Sequence, residues 1–453
     1  MKKIFQYIML AVVTIVMASC TSDIEETTAT AGKNNIQLVV VGEFPAFGDS
    51  QTRAIGTPDE GKTSWAEGDE LLLEMTSKTF GTKYAAFTYN GSSWELTSGE
   101  LSYKEDEVPT FPHVYYAPNY KWEAGKLVLK EGKVAGTDEY IEGTAQITPN
   151  GEAITVKFSG ATRNYSRLRI ATMPNKPITV DTEYFTPAGS SDMEQEGNYT
   201  LTSDEKGNAC LYGTFENNSE VTVKYRGATL KTYKFSKETE NAKSYALDAT
   251  VISANSAEEI KSAIKQEVAN SKTAIILNLA SDAGDNEFKT IREAFKNVQD
   301  ATIDLTLIGC KEIPADGLKE LNALKSIFLP DVTKIGMNAL SRCVYLEEIC
   351  APNVSTIDER AFAGFIMLEK VTLGELTDVR GEANSGGGIF DDDNWTPYID
   401  LYLPKNQEVM KGEFDENSNQ YIWKPTGESY FASPDVDNGI FLGYQFNSVK
   451  SWE

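Results

Sequence analysis

The sequence predicts a multidomain protein, with an all-β region of one or two sandwiches over residues 35–250 and an α/β solenoid over residues 251–453. Three observations predict this division. Apolar residues recur every 22 residues between Ile313 and Val379, and a fixed step of this size is typical of stacked repeats. Upstream of the repeats, short strands are separated by Asn-Gly, Ser-Gly and Lys-Gly pairs that favour tight turns. The first 34 residues have no core-forming pattern.

Residues 1–19 have the pattern of an export signal. Lys2 and Lys3 precede an apolar run over residues 8–17, and small residues lead to Cys20. The run is too short for a permanent membrane-spanning helix. The small residues before the cysteine resemble a bacterial lipobox, which implies that the Cys20 thiol is acylated and becomes the first residue of the mature chain. The alternative is an ordinary signal peptide cleaved after residue 18 or 19.

Residues 20–34 are polar, with acidic residues at the start followed by Thr and Ala. Because this composition cannot form a core, it predicts a flexible tether. The acidic start resembles the surface-export signals of lipoproteins in anaerobic Gram-negative gut and oral bacteria. The resemblance implies a lipid-anchored protein of the outer membrane, exposed on the cell surface or on a fimbria.

The composition excludes several classes of function. A formal net charge of −25 repels phosphate backbones and argues against nucleic-acid binding. The only histidine is His113, so neither a Ser-His-Asp triad nor a His-rich metal site is available. Carboxylates are plentiful, but no pair is marked by its surroundings as a glycosidase site. We therefore expect no enzymatic activity, no cofactor and no metal.

The cysteines and one acidic run are the remaining candidates for chemistry. Cys310 and Cys343 occupy apolar columns of the repeat and are expected to be small core residues. No spacing indicates a disulfide framework or a zinc site. The run 391–394 offers oxygen ligands for calcium. It lacks the spaced pattern of a calcium loop, so a solvated acidic loop is the favoured interpretation.

The β region carries a family resemblance. Trp65 to Asp69 in a W-x-x-G-D arrangement, followed by "AAFTYNGSSWEL" and "HVYYAPN", resembles the fimbrillin family of outer-membrane-anchored pilus proteins. The resemblance spans about 210 residues, although Arg163 and Asn164 stand about where many members have a histidine. We interpret Trp65 to Asp69 as a turn with the indole packed beneath it, which is a fold marker and not a site. The resemblance further implies cleavage after an arginine, for which Arg53 is the candidate.

The repeat is defined by six apolar columns. The columns are Ile313/Ile335/Ile357/Val379, Leu318/Leu340/Phe362, Leu324/Leu346/Leu368, Ile327/Ile349/Val371, Leu329/Ala351/Leu373 and Val332/Val354/Leu376. The alternation at Ile327 and Leu329 predicts a short strand, and the spacing over residues 315–324 predicts a helical turn. The units resemble BspA-like leucine-rich repeats of bacterial surface proteins, from about residue 291 to the C-terminus.

The ends of the repeat region are predicted from local signals. Ser256 and Glu259 have the spacing of a capping box and start a helix that runs to about residue 270. The glycines of residues 386–388 indicate a flexible insertion, which makes residues 381–395 a candidate contact loop. Aromatic residues of the tail are expected to cap the last unit: Trp423, Tyr430, Phe431, Phe441 and Trp452.

The strands of a solenoid form one exposed sheet, and this sheet is the predicted binding surface. Residues that flank the inward positions point outward. The ligand-contact candidates on this face are Ser326, Phe328, Glu348, Lys370, Thr372, Asp400 and Tyr402. Exposed aromatic residues among mixed charges suit contact with a protein or a glycan, and the alternative is that the face is merely solvated. The repeat predicts an extended binding surface rather than a pocket.

Two functional hypotheses follow. The first is a cell-surface lipoprotein adhesin that binds a host or microbial protein or glycan through the repeat face, as a fimbrial tip or accessory subunit. The second is a structural pilus subunit that joins other fimbrial subunits by strand exchange after cleavage at Arg53, with the repeats as a spacer or cap. The sequence does not identify the ligand.

Overall fold

The computed structural model describes residues 37–41, 47–49, 62, 64–104, 107–148, 153–158, 163–391 and 396–452. The predicted signal, the tether, Cys20 and Arg53 lie outside the described residues. None of the helices in the described ranges has the length and apolar composition that a membrane crossing requires.

The first part of the chain forms a closed β barrel. The strands up to residue 158 are β1 (Gln37–Val41), β2 (Gly48–Asp49), β3 (Glu70–Ser77), β4 (Gly81–Tyr89), β5 (Trp94–Gly99), β6 (Thr110–Tyr116), β7 (Tyr120–Glu123), β8 (Lys126–Leu129), β9 (Ile141–Ile147) and β10 (Ala153–Phe158). The barrel order is β1-β10-β9-β6-β3-β4-β5. β7 and β8 form a separate hairpin.

The prediction of a sandwich is wrong for this part, because β1 closes the sheet on itself. β1 pairs in parallel with β10 and, at Leu38, antiparallel with Trp94 of β5. Alternate residues such as Leu71 and Leu73 fill the interior, as barrel geometry requires. The indole of Trp65 packs on Trp94, with ring centroids 5.0 Å apart. Trp65 is therefore a packing residue, as predicted.

A second β body follows the barrel. Its strands are β11 (Ser166–Ala171), β12 (Pro177–Pro187), β13 (Glu194–Thr202), β14 (Asn208–Phe215), β15 (Glu220–Tyr225), β16 (Ala228–Lys234) and β17 (Lys243–Asp248). The sheet order is β16-β15-β12-β14-β11-β17-β2, with β13 paired to β12. Val221 and Val223 alternate with half-exposed residues along β15, which gives a sheet with one face on a core.

The repeat region contains short strands and few helices. Its elements are β18 (Ile252–Ser253), α1 (Ala257–Ala269), β19 (Ala274–Asn278), α2 (Asp285–Phe295), β20 (Ile303–Ile308), β21 (Glu312–Ile313), β22 (Leu324–Phe328), β23 (Lys334–Ile335), β24 (Glu348–Ala351), β25 (Thr356–Ile357), β26 (Lys370–Leu373), β27 (Asp378–Arg380), β28 (Asp400–Leu403), β29 (Glu408–Asp415), β30 (Gln420–Ser429), α3 (Pro434–Asp437), β31 (Ile440–Phe441), β32 (Tyr444–Gln445) and β33 (Ser448–Ser451). Short 3-10 helices lie at Thr396–Tyr398 and Tyr430–Ala432.

The strands stack in parallel at the predicted step. The larger sheet, here called the repeat sheet, has the order β18-β19-β20-β22-β24-β26-β28-β33. Ile327 pairs with Ile349 and Ile349 with Val371, each 22 residues further along. A second sheet joins β21, β23, β25 and β27 and ends in the β30-β29 hairpin. Strand pairing thus follows the apolar columns, while membership of the leucine-rich repeat class stays a prediction.

The helical turns predicted within the repeated units are not helices. Residues 315–320 and 322–323 form turns. Asp316 and Glu320 have positive φ values of 56° and 61°, which a right-handed helix does not allow. The backbone N–H of Leu318 donates to the carbonyl of Ala339 in the next unit (2.7 Å). Bonds to the next unit thus accompany local turn bonds such as that from the N–H of Leu321 to the carbonyl of Leu318 (3.2 Å). Among the described residues of this region, the helices longer than one turn are α1 and α2. The predicted N-cap at α1 is present, since the Ser256 hydroxyl accepts from the backbone N–H of Glu259. The reciprocal bond of a capping box is displaced by one residue, because the Glu259 carboxylate accepts from the backbone N–H of Asn255 (2.8 Å).

The second β body and the repeat region are joined by a buried contact at the β15–β16 turn. The Tyr225 hydroxyl donates to Oδ1 of Asp331 (3.0 Å), and the Arg226 guanidinium lies 3.4 Å from the same oxygen. Met173 and Tyr225 pack with Ile308 of the repeat sheet. Part of the repeat sheet is thus covered by the protein itself.

Candidate functional site

The outward face of the repeat sheet is divided into a covered half and an open half. In the covered half, at β19, β20 and β22, Tyr225 packs with Ile308 and Ile276. The contacts of the second β body lie at Ile308, Phe328 and Asp331, and the open half comprises the strands beyond them, β24, β26, β28 and β33. The sequence-predicted candidates fall on both halves.

Two candidates are less accessible than expected. Phe328 is half-buried, because Gly227 (φ +90°) lies over it; a Cβ at Gly227 would stand 3.4 Å from Cζ of Phe328. Thr372 is only 8% exposed, since it lies between Cys350 and Tyr402 on the neighbouring strands. The expectation that both residues point freely to solvent is wrong. Ser326 is also engaged, and its hydroxyl donates to Asp304 (2.6 Å).

The other four candidates form one cluster on the open half. Lys370 pairs with Glu348 (2.8 Å), and its ammonium lies 5.5 Å from the ring centroid of Tyr402. The ammonium of Lys450 lies 5.6 Å from the same ring and 3.1 Å from Asp400. Tyr402 therefore stands between two lysines in cation–π range. We call these five residues the Tyr402 cluster.

Hydrogen bonding and charge fix the Tyr402 cluster. Asp400 accepts from the Ser448 hydroxyl (2.6 Å) and from the Asn447 amide (2.6 Å). The bond from Ser448, with those from Asn447 and Lys450, holds the pKa of Asp400 below its ordinary value despite partial burial. The bond to Glu348 raises the pKa of Lys370. At neutral pH the cluster therefore carries fixed charges of both signs around one aromatic ring.

Sequence reasoning missed Lys450, because the C-terminal tail was interpreted as a cap. β33 instead continues the repeat sheet, with Val449 opposite Leu401 and Lys450 opposite Tyr402. The signal was present in the alternation of residues 448–450, where buried Val449 is flanked by half-exposed Ser448 and exposed Lys450. Tyr430 and Phe441 are buried, as predicted for the tail, whereas Trp452 is 36% exposed.

The run 391–394 was predicted to be a solvated acidic loop, but its first residue, Asp391, is buried. Its carboxylate accepts from the backbone N–H groups of Asn384 (2.9 Å) and Gly388 (2.8 Å) and from the Tyr444 hydroxyl (2.7 Å). Burial opposes ionisation, but the bonds from Tyr444 and the backbone outweigh it and hold the pKa of Asp391 below its ordinary value. Its ionised form thus stabilises the folded loop, and that contribution is lost as pH falls through the lowered pKa. Asp391 holds the loop together, and residues 392–394 lie outside the described residues.

Other chemical groups have structural roles. Burial raises the pKa of the Cys350 thiol to about 11, so it is a poor nucleophile at neutral pH. Cys310 and Cys343 are fully buried, as predicted. His113 shares a hydrogen bond with the Tyr115 hydroxyl (2.9 Å). Within the described ranges, no cluster of three His, Cys, Asp or Glu side chains has the geometry to hold a metal. That the protein is not an enzyme stays a prediction.

The chain ahead of Arg53 contributes strands to both β bodies. β1 is a barrel strand, and β2 pairs in parallel with β17 of the second β body. Phe47, beside β2, is buried. Its ring centroid lies 3.8 Å from Cζ of Arg163 and 4.4 Å from Cζ of Arg167, so two guanidinium groups stack on it. Arg163 in turn pairs with the buried carboxylate of Glu139 (2.5 Å). We call β1, Phe47 and β2 the leader strands.

Comparisons with known proteins assign no family. No protein-family model matches the sequence, and no curated protein matches it. Among solved structures, the chain is similar to a proposed cell adhesion protein from Bacteroides fragilis NCTC 9343 at 12% identity and a TM-score of 0.26, covering 48% of this chain and 93% of that one. It is also similar to a minor pilin of Streptococcus agalactiae at 10% identity and a TM-score of 0.17, covering 48% and 94%. TM-scores this low do not establish a shared fold.

Proposed function

We propose that the protein is a cell-surface adhesin that binds a host or microbial protein or glycan through the open half of the repeat sheet. The Tyr402 cluster carries the proposal, because an aromatic ring between two lysines on a fixed sheet is a preorganised contact surface. Anchoring to the outer membrane through an acylated Cys20 belongs to the same proposal. So do the assignments of the β region to the fimbrillin family and of the repeats to the BspA-like class.

The adhesin proposal predicts loss of binding without loss of stability. In the double variant Lys370→Ala with Tyr402→Ala, adhesion of displaying cells to epithelial and bacterial surfaces is expected to fall about tenfold, because aromatic and cationic anchors dominate interfaces. The melting temperature is expected to move by only about 2 °C, since Lys370 is exposed and Tyr402 is half-buried on the outward face of the sheet rather than in the core. Adhesion is measured by counting bound cells.

The matched control is Phe414→Ala. Phe414 is an aromatic residue, 58% exposed, on β29 of the other sheet. Its removal is expected to leave adhesion unchanged. Equal adhesion by the wild type and the double variant would exclude the open half as the contact surface.

The second candidate function, a structural pilus subunit, is favoured by the leader strands. If cleavage at Arg53 released them, β5 and β10 of the barrel and β17 of the second β body would each lose a partner. Open strand edges of this kind accept a strand from another chain, and the socket of Phe47 would accept an aromatic residue.

Treatment with an arginine-specific protease tests this function. The cleaved wild type is expected to form polymers that are visible by electron microscopy and as a ladder on denaturing gels, whereas Arg53→Ala stays monomeric. The Arg53→Ala variant is the control, because it is still cleaved at other arginines but not at residue 53. A wild-type chain that is cleaved at Arg53 and remains monomeric would rule out strand exchange by this route.

A further inference from the structure

We propose that the cleft between the β barrel and the second β body binds a neutral sugar ring. The cleft has a volume of about 260 Å³. One wall comes from Tyr140 and Glu142 at β9 of the barrel, and the other from Thr186 at the end of β12 and Thr214 on β14. Asn164 and Tyr165, in the connection between the two bodies, complete it. This site is separate from the repeat sheet and does not rest on the function proposed above.

The aromatic surface of the cleft is held in place from behind. Tyr140 packs against Tyr115 and Tyr120, with ring centroids 5.3 and 5.2 Å apart. The Tyr165 hydroxyl donates to Glu139 (2.6 Å) and accepts from the backbone N–H of Tyr140 (3.1 Å). Tyr165 is itself buried and holds the wall from behind, so the half-buried ring of Tyr140 is the aromatic surface of the cleft. That ring is fixed before any ligand arrives, which lowers the cost of binding. Aromatic surface of this kind suits the apolar C–H faces of a pyranose ring.

A glycine lets the second β body approach this wall. Gly189, in the turn after β12, has a φ of +82°, and a Cβ there would stand 2.5 Å from the Tyr120 hydroxyl and 2.6 Å from Cδ2 of Tyr140. Any larger residue would push the turn away and widen the cleft. The enclosure of the cleft thus depends on this one position.

The polar lining of the cleft is of two kinds: the hydroxyls of Tyr165 and Ser190 bond within the protein, whereas four other polar side chains do not. In the described part of the chain, no hydrogen bond or ion pair engages the side chains of Glu142, Asn164, Thr186 or Thr214. A carboxylate accepts, whereas an amide and two hydroxyls both donate and accept. This mixture complements the vicinal hydroxyls of a sugar, each of which also donates and accepts.

Size and charge select the ligand class. The volume lies below the roughly 300–1,000 Å³ typical of drug-sized pockets, so it suits one ring rather than an oligosaccharide. Glu142 repels phosphate and carboxylate ligands, and the chain as a whole has a net charge of −25. Three of the four unused polar side chains are uncharged, which favours a neutral polyhydroxylated ligand over a cationic one.

Saturation-transfer NMR and calorimetry on the intact protein test the proposal. The probes are glucose, galactose, mannose, fucose, N-acetylglucosamine and N-acetylgalactosamine, each at up to 20 mM. At least one is expected to bind, and Glu142→Gln with Thr214→Val is expected to weaken it about tenfold or more, because a hydrogen bond to a charged group is lost together with one to a hydroxyl. The control Glu123→Gln, on the β7–β8 hairpin, should bind as the wild type does.

The outcomes separate the alternatives. Unchanged far-UV circular dichroism in the double variant ensures that weaker binding comes from the cleft. Absence of binding by all six sugars, or equal binding by wild type and double variant, would overturn the proposal. Arginine methyl ester serves as a cationic probe. If it binds and the sugars do not, the cleft takes cations and the proposal is overturned. Sugar binding that persists in Lys370→Ala with Tyr402→Ala would place the site apart from the Tyr402 cluster, as proposed.

Discussion

Replacing Glu139 with alanine is expected to lower the free energy of unfolding by about 3–5 kcal/mol, because it leaves a buried guanidinium without its carboxylate. Arg163 is 1% exposed and Glu139 4% exposed, and the Tyr165 hydroxyl donates to the same carboxylate oxygen. Urea denaturation followed by tryptophan fluorescence measures the effect. Since Arg163 also stacks on Phe47, the leader strands should become more accessible to limited proteolysis.

Two further variants separate charge from packing. Glu139→Leu combined with Arg163→Met removes both charges and is expected to recover most of the loss, as buried ion pairs replaced by apolar residues often do. Glu123→Ala removes an exposed carboxylate that lies 3.6 Å from Lys121, and it should cost at most about 1 kcal/mol. A Glu139→Ala variant as stable as the wild type would show that the pair is not desolvated.

The second large effect is expected in the repeat core. Phe362 is fully buried in the column of Leu318 and Leu340, and its ring lies 5.4 Å from that of Phe390. Phe362→Ala should cost about 3–5 kcal/mol, because the cavity cannot close without moving both neighbouring units. Hydrogen exchange should show the units around residue 362 opening first.

Ile366→Ala is the matched control for Phe362→Ala. Ile366 is a large apolar residue of the same unit but is 52% exposed, so its truncation should change stability by about 0.5 kcal/mol or less. A loss below about 1 kcal/mol for Phe362→Ala would mean that the column does not form a continuous core.

The repeat was predictable because its signal is local and repeated. Each column position, such as Ile335 and Ile357, must be apolar for the units to stack, so the period is visible without a structure. The turns within the units were not predicted, because their positive φ positions are marked in single copies only, by Asn338 in the column of Asp316 and by Gly364 in the column of Glu320. The resulting hydrogen bonds to the next unit replaced the expected helix.

The errors elsewhere come from contacts between distant residues. Closure of the barrel depends on β1 meeting both β10 and β5, which no pattern within β1 specifies. The cover over Phe328 depends on the contact between Tyr225 and Asp331, which are 106 residues apart. The cleft at Tyr140 and Tyr165 likewise needs both β bodies. The alternation of inward and outward side chains along the repeat strands could place Lys370 and Tyr402 on one face. It could not show which part of that face the second β body leaves open.

The contact between the second β body and the repeats has a consequence for how this architecture can vary. It involves Ile308, Phe328 and Asp331, all in the first units of the stack. Adding or deleting one 22-residue unit beyond Asp331 would change the length of the repeat sheet by about 4.8 Å and leave the junction intact. The length of the repeat sheet and the chemistry of its outward positions can therefore change independently, while the residues that attach it to the second β body are constrained.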